Sequence, residues 1–204
     1  MRTSVLSLLC SALLLTACTQ AAEPVLGGPC EGCELVFAGQ PAEIAAQASI
    51  APVGEPGEPL QIDGVVSDRN GKPAAGIIIY AYQTDARGHY PRAETRHGRL
   101  RGWARSDAEG RFRFDTIRPA SYPETDIPQH VHLHVIEPGR GTYYIDDLVF
   151  SDDPLLTSRQ RTQILRGRGG NGLATPQRDA DGVWHATRDI RLGAGIGAGS
   201  PAGR

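Results

Sequence analysis

Three histidines at alternate positions, His130, His132 and His134, form the densest chemical feature of this 204-residue chain. Alternate residues of a β-strand share a face, so the run Pro128-Gln129-His130-Val131-His132-Leu133-His134 aims three imidazoles the same way. Each neutral ring needs partners for both nitrogens, a demand that a transition metal meets better than an apolar core does. Two histidines at i and i+2 can share one ion. A third on the same straight strand would lie about 13 Å from the first, so His134 is expected outside the ligand set. Further ligands must come from other segments, and His89, Tyr90 and Tyr122 all sit beside turn-like sequence from which a side chain can reach inward. Phenolate with imidazole favours Fe(III), because a hard anionic oxygen stabilises the ferric state and the ion lowers the phenol pKa from its reference of about 10.

Such a strand requires a sheet around it, and the flanking sequence supplies one. Short β-like runs occur at Leu60 to Val66, Ile77 to Tyr82, Gly102 to Arg105, Arg111 to Phe114, Val131 to Ile136, Tyr143 to Phe150, and near Val183 to Leu192. Turn sequences separate several of them: Asn70-Gly71, a strong hairpin signal, then Asp107-Ala108-Glu109-Gly110 and Glu137-Pro138-Gly139. Alternation in Arg111-Phe112-Arg113-Phe114 puts both phenylalanines on one face of a half-buried strand. Many short strands with no helices between them imply an all-β protein built as a β-sandwich, here over residues 58–192. A helix is expected within Asp153 to Ile164. The Ala-, Pro- and Gly-rich stretch 18–57 reads as a tether, and the Gly-rich end 193–204 as a disordered tail.

From Ile77 to Pro154 the chain resembles the intradiol ring-cleavage dioxygenases, which cleave catechol or protocatechuate and share a transthyretin-like sandwich. Four pieces match in order. Tyr82-Gln83-Thr84-Asp85-Ala86-Arg87-Gly88-His89-Tyr90 resembles aromatic-Gln-x-Asn/Asp-x-x-Gly-x-Tyr. Ser106 to Phe114 with Thr116-Ile117-Arg118-Pro119-Ala120-Ser121-Tyr122-Pro123 resembles D-x-x-G-x-Φ-x-F followed by T-I-x-P-x-x-Y-P. Pro128 to His132 resembles P-x-H-Φ-H, and Leu148 to Leu155 the strand end and D-P-L turn. The resemblance implies Fe(III) held by Tyr90, Tyr122, His130 and His132, with no organic cofactor. It implies a catechol-type substrate opened by dioxygen to a cis,cis-muconate type diacid, with Tyr122 released as an internal base and Tyr90 staying in place. Two positions depart from the pattern: Ile127 stands where an arginine near the substrate ring is common, and Asp147 where a glutamine is common. Arg87, Arg118 and Arg140 are candidates to replace that charge, although a solvated surface role is the simpler reading of each. His97 and His185 read as structural or exposed. The competing reading is a transthyretin-like sandwich that holds iron or a catecholate without turning it over.

The remaining features bound where such a protein acts. A net charge of −2 with mixed signs gives no basic footprint for nucleic acid. The apolar run Val5 to Leu15 is too short to span a bilayer and reads as a secretion signal over 1–17. It ends in Leu15-Thr16-Ala17-Cys18, which resembles a lipobox and makes Cys18 the expected site of lipid attachment. The expected location is the cell envelope, held to a membrane through the lipid alone, with Thr19 favouring the outer membrane. Of four cysteines, Cys30 and Cys33 then remain; a small local disulfide is favoured there, with a thiol or metal site as the alternatives.

Overall fold

The computed structural model describes residues 24–30 and 32–197. The expected signal 1–17, the anchor position Cys18 and the end of the expected tail, 198–204, lie outside them. Among the described residues no helix is long and apolar enough to cross a membrane.

Among the described residues eleven strands run in the order Gln47–Ser49 (β1), Pro59–Ser67 (β2), Ile78–Gln83 (β3), Arg101–Arg105 (β4), Arg111–Ile117 (β5), His130–Glu137 (β6), Gly141–Phe150 (β7), Leu173–Ala174 (β8), Gln177–Arg178 (β9), Trp184–Thr187 (β10) and Ile190–Arg191 (β11). One helix, Ser158–Ile164 (α1), lies inside the expected stretch but starts later, because Thr157 and Gln160 form a reciprocal capping box at its first turn. The strands form two sheets, β1-β5-β2-β10-β9 with β11 also on β2, and β4-β3-β6-β7-β8. Ile62, Phe112 and Phe114 of the first meet Ile79, Leu133, Val135 and Ile145 of the second in one buried core. The all-β sandwich read from the sequence is the observed architecture.

Strand alternation decides what the second sheet turns outward. In β3, Ile79 and Ala81 enter the core while Ile78, Tyr80 and Tyr82 take the other face; in β6, Val131, Leu133 and Val135 enter it while His130, His132, His134 and Ile136 do not. The register sets Tyr82 opposite His132 and Tyr80 opposite His134. This outer face is not left to water. Ile78, Tyr80, Trp103 and Ile136 pack with Val36 in a second apolar cluster, and the Trp103 indole N–H donates to the Val36 carbonyl at 2.7 Å.

The cover comes from the stretch read as a tether. Val25 bridges Thr142, a 3-10 turn at Cys33–Leu35 buries Cys33 and Val36, and β1 adds to the first sheet parallel to β5. Its apolar residues are few, but they find a half-built face already rich in aromatics. At the other end, Ile196 of the expected tail packs against the core. The Asn70-Gly71 turn forms as its residues demand, with the Gly71 N–H donating to the Asp68 carbonyl at 3.1 Å. It does not close a hairpin of one sheet: β2 and β3 belong to different sheets, so the turn carries the chain across the sandwich. Glu137-Pro138-Gly139 does close a hairpin, between β6 and β7.

Candidate metal centre

Two loops, one after β3 and one after β5, are stitched together before they present their tyrosines. The Asp85 carboxylate accepts from the backbone N–H groups of Arg87 and His89, which folds the first loop into a turn. Gly88 has φ +80°, and a Cβ there would collide with the Ser121 carbonyl, so glycine is what lets the loops touch. The Ala120 N–H donates to the Asp85 carbonyl at 3.1 Å, and the Thr84 hydroxyl donates to the Ala120 carbonyl at 2.7 Å. Buried Gln83 donates to the Ile117 carbonyl and accepts from the Thr116 hydroxyl, tying the strand ends beneath. The result is a direct hydrogen bond between the Tyr90 and Tyr122 hydroxyls.

Those hydroxyls meet the two imidazoles. Tyr122 Oη lies 3.2 Å from both His130 Nε2 and His132 Nε2, Tyr90 Oη lies 2.8 Å from His132 Nε2, and the two Nε2 atoms are 3.2 Å apart. Donors about 2.0–2.2 Å from one ion stand about 3–3.5 Å from one another, so the spacing suits a shared cation. The far nitrogens fix the tautomers. His130 Nδ1 donates to the Pro128 carbonyl at 2.7 Å, and His132 Nδ1 donates to Asp147 at 2.9 Å. Both Nε2 atoms therefore turn lone pairs toward each other, an arrangement that repels unless protons or a cation lie between. Burial pushes the His130 imidazole toward its neutral, ligating form. Burial also raises the Tyr90 and Tyr122 phenols above their ordinary range, Tyr90 further through its bond with Tyr122. Tyr90, Tyr122, His130 and His132, the four residues singled out in the sequence, are thus brought together. His89 is not among them, and His134 points its Nδ1 at the Cys30 and Cys33 sulfurs instead.

The partner of His132 exists because of a β-bulge. Pairing of β6 with β7 shifts between Val131 and Leu133, so Asp146 and Asp147 together stand opposite His132. Ile145 and Leu148 on either side both remain in the core, and Asp147 is left on the histidine face. Burial alone would raise the Asp147 pKa, but the hydrogen bond from His132 holds it below the usual carboxylate range. The sequence carried a signal for this: Ile145-Asp146-Asp147-Leu148 breaks the period of two, as an extra residue in a strand does.

Above the four donors opens a cavity of about 860 Å³, with Ile127, Tyr144, Leu156 and Ile164 among its walls and Arg96 at one side. The arginines proposed to replace the missing charge are engaged elsewhere. Arg87 pairs with Asp85, Arg140 with Glu137, and Arg118 makes two bonds to Asp152 while stacking on Phe150 and Trp184. Arg96, which is not among the three sequence candidates, is the arginine that lines the cavity; it pairs with Glu34 of the cover at 2.9 Å. His97 is buried against Tyr80 and stacked on Tyr82, and exposed His185 bonds Asp179, so neither belongs to the donor set.

Fold and donor set together define a β-sandwich in which two phenols and two imidazoles converge beneath a cavity. Residues 36–168 match the family described as Dioxygenase, and the chain belongs to the intradiol ring-cleavage dioxygenase family. It is 33% identical over 116 residues to the protocatechuate 3,4-dioxygenase beta chain of Burkholderia cepacia, covering 50% of this chain and 49% of that one. It is 33% identical over 128 residues to a 6-chlorohydroxyquinol 1,2-dioxygenase of Cupriavidus pinatubonensis, covering 48% and 46%. The chain thus spans about half the length of these curated relatives. Among solved structures, it is similar to the dioxygenase domain of a dioxygenase carbohydrate-binding protein fusion from the cellulolytic bacterium Streptomyces sp. SirexAA-E, at 28% identity and TM-score 0.57, covering 74% of this chain and 90% of that one. The catechol 1,2-dioxygenase of Acinetobacter radioresistens shares the fold, with TM-score 0.61 at 19% identity over 82% of this chain and 63% of that one.

Proposed function

We propose that this protein is an Fe(III)-dependent intradiol dioxygenase. It would open a catechol-type aromatic between the two hydroxyl-bearing carbons, add both atoms of dioxygen and release a cis,cis-muconate type diacid. The observation that carries this reading is the convergence of two phenols and two lone-pair-bearing imidazoles beneath the cavity, each within 3.2 Å of at least two of the others. Ferric iron held by Tyr90, Tyr122, His130 and His132 would supply the electron-withdrawing centre that makes a chelated catecholate reactive toward dioxygen.

The chain's own residues account for the rest. Tyr122 Oη would take a proton from an incoming catechol hydroxyl. Tyr90 stays in place, as the resemblance implies. The Pro128 carbonyl and Asp147 keep both rings aimed at the same point through every step. Ile127, Leu156 and Ile164 give the substrate ring apolar walls. The proposed setting is the cell envelope, with Cys18 carrying the lipid that tethers the domain.

A second reading, an iron- or catecholate-binding module without turnover, has one observation in its favour. Ile127 is 46% exposed where the resemblance expects an arginine, and Arg87, Arg118 and Arg140 are all paired elsewhere. The visible spectrum of iron-reconstituted protein, with and without catechol, separates the readings when joined to oxygen uptake. A broad tyrosinate band that shifts with catechol, with uptake of dioxygen, is expected. It should be lost in His132→Ala and weakened in Tyr90→Phe. A shifting band without uptake leaves the binding module; a protein that stays colourless sinks both.

A further inference from the structure

On the same outer face, beside the four donors, lies a second cluster that the dioxygenase reading does not use. Cys30 and Cys33 form a disulfide with a Cα–Cα distance of 5.6 Å, and both sulfurs face the ring of His134. His134 Nδ1 is 3.5 Å from Cys33 Sγ and 3.8 Å from Cys30 Sγ. Neither Cys33 nor His134 is more than 3% exposed. Gly32, at φ +86°, lies so close to the His97 ring that a Cβ there would strike it.

We propose that, once reduced, Cys30 and Cys33 join His134 in a thiolate–imidazole site for a thiophilic divalent cation of the zinc class. A tetrahedral ion with sulfur at about 2.3 Å and nitrogen at about 2.0–2.1 Å sets its sulfur and nitrogen donors about 3.5 Å apart, close to the two separations present. Only the sulfurs need to part from each other, and the Cys-x-x-Cys loop is of the length used for that purpose. The chemistry balances. A dithiol reductant delivers two electrons and two protons, the sulfur–sulfur bond breaks to give two thiols, and the reductant becomes its own disulfide. The cation then displaces both thiol protons and takes a fourth donor from solvent. The device is one that trades a cross-link for a metal in the cover of the neighbouring centre.

The test uses the whole protein, a dithiol reductant and cobalt(II) as the probe, since cobalt on tyrosine and histidine alone cannot give a thiolate charge-transfer band. After reduction two thiols should titrate, and cobalt should raise a near-ultraviolet thiolate band that saturates at one equivalent and is bleached by zinc. Without reduction the band should be absent. Cys33→Ser should abolish it, and His134→Asn should weaken cobalt binding by about tenfold or more with both thiols still titrating. Should His134→Asn not fold, Cys30→Ser, which spares the buried ring, should also lose the band. A disulfide that resists the reductant in the folded protein overturns the proposal. So do two free thiols with no thiolate band, or a band that His134→Asn leaves unchanged.

Discussion

The outer faces of the two sheets put the same strand geometry to opposite uses. On the β2–β5 side the outward residues are Asp63, Arg113, Asp115 and their like, joined by pairs such as Arg113–Asp63 at 2.7 Å with both side chains about 40% exposed. On the β3–β6 side the outward residues are tyrosines and histidines, stacked on one another and roofed in part by Val36 and Ile44. Water screens the first face, so its charges contribute little to stability and hold nothing in place. The second face is largely buried, which raises the cost of the unpaired lone pairs that His130 and His132 turn toward each other. The cover matters to the chemistry as much as the ligands do.

Three measurements sharpen that contrast. Asp147→Ala removes the carboxylate that aims His132, and roughly a 10- to 100-fold loss of iron affinity is expected in chelator competition. Asp147→Asn, which still accepts from His132 Nδ1, should recover much of it; equal losses in the two variants would assign the effect to charge instead of aim.

A second measurement probes the roof. Burial, reinforced by Arg96, lowers the His97 pKa from 6.5 to about 4. The unfolded chain therefore binds this proton first. The stability tied to neutral His97 is complete above pH 6.5 and is lost progressively as pH falls toward 4. Urea unfolding at pH 5 should show about 2 kcal/mol less stability than at pH 7 from this group, and His97→Gln should flatten that slope. An unchanged slope in the variant would mean that the buried ring is not what titrates. The smallest effect belongs to the solvated face: Arg113→Ala should cost less than about 1 kcal/mol and leave the iron spectrum untouched. A larger loss, or a spectral change, would mean the two faces are coupled through the core.

The four donors and the sandwich were legible in the sequence because both depend on local regularities. Alternation places His130 and His132 on one side of a strand, while Tyr90 and Tyr122 were picked out by the resemblance, since His89 stands beside the same turn. The roof was not legible, because Val25, Cys33 and Val36 are too sparse to show a period and their partners lie more than forty residues further along. The Asn70-Gly71 turn misled for a related reason: its residues dictate a reversal but not which sheet receives the outgoing strand. Asp147 was noticed as a departure, yet its contact with His132 depends on a bulge that the doubled aspartate only hints at.

The matched family region begins at residue 36, whereas the roof begins at least as early as Val25, and the strands β8 to β11 follow the region's end at 168. A domain trimmed to those limits would keep all four donors and discard Cys30, Cys33, and the parallel strand β10 that completes the flank of β2. Excised fragments of this chain would thus carry a full set of ligands under an open sky, and any inactivity they showed would report on the cut and not on the chemistry.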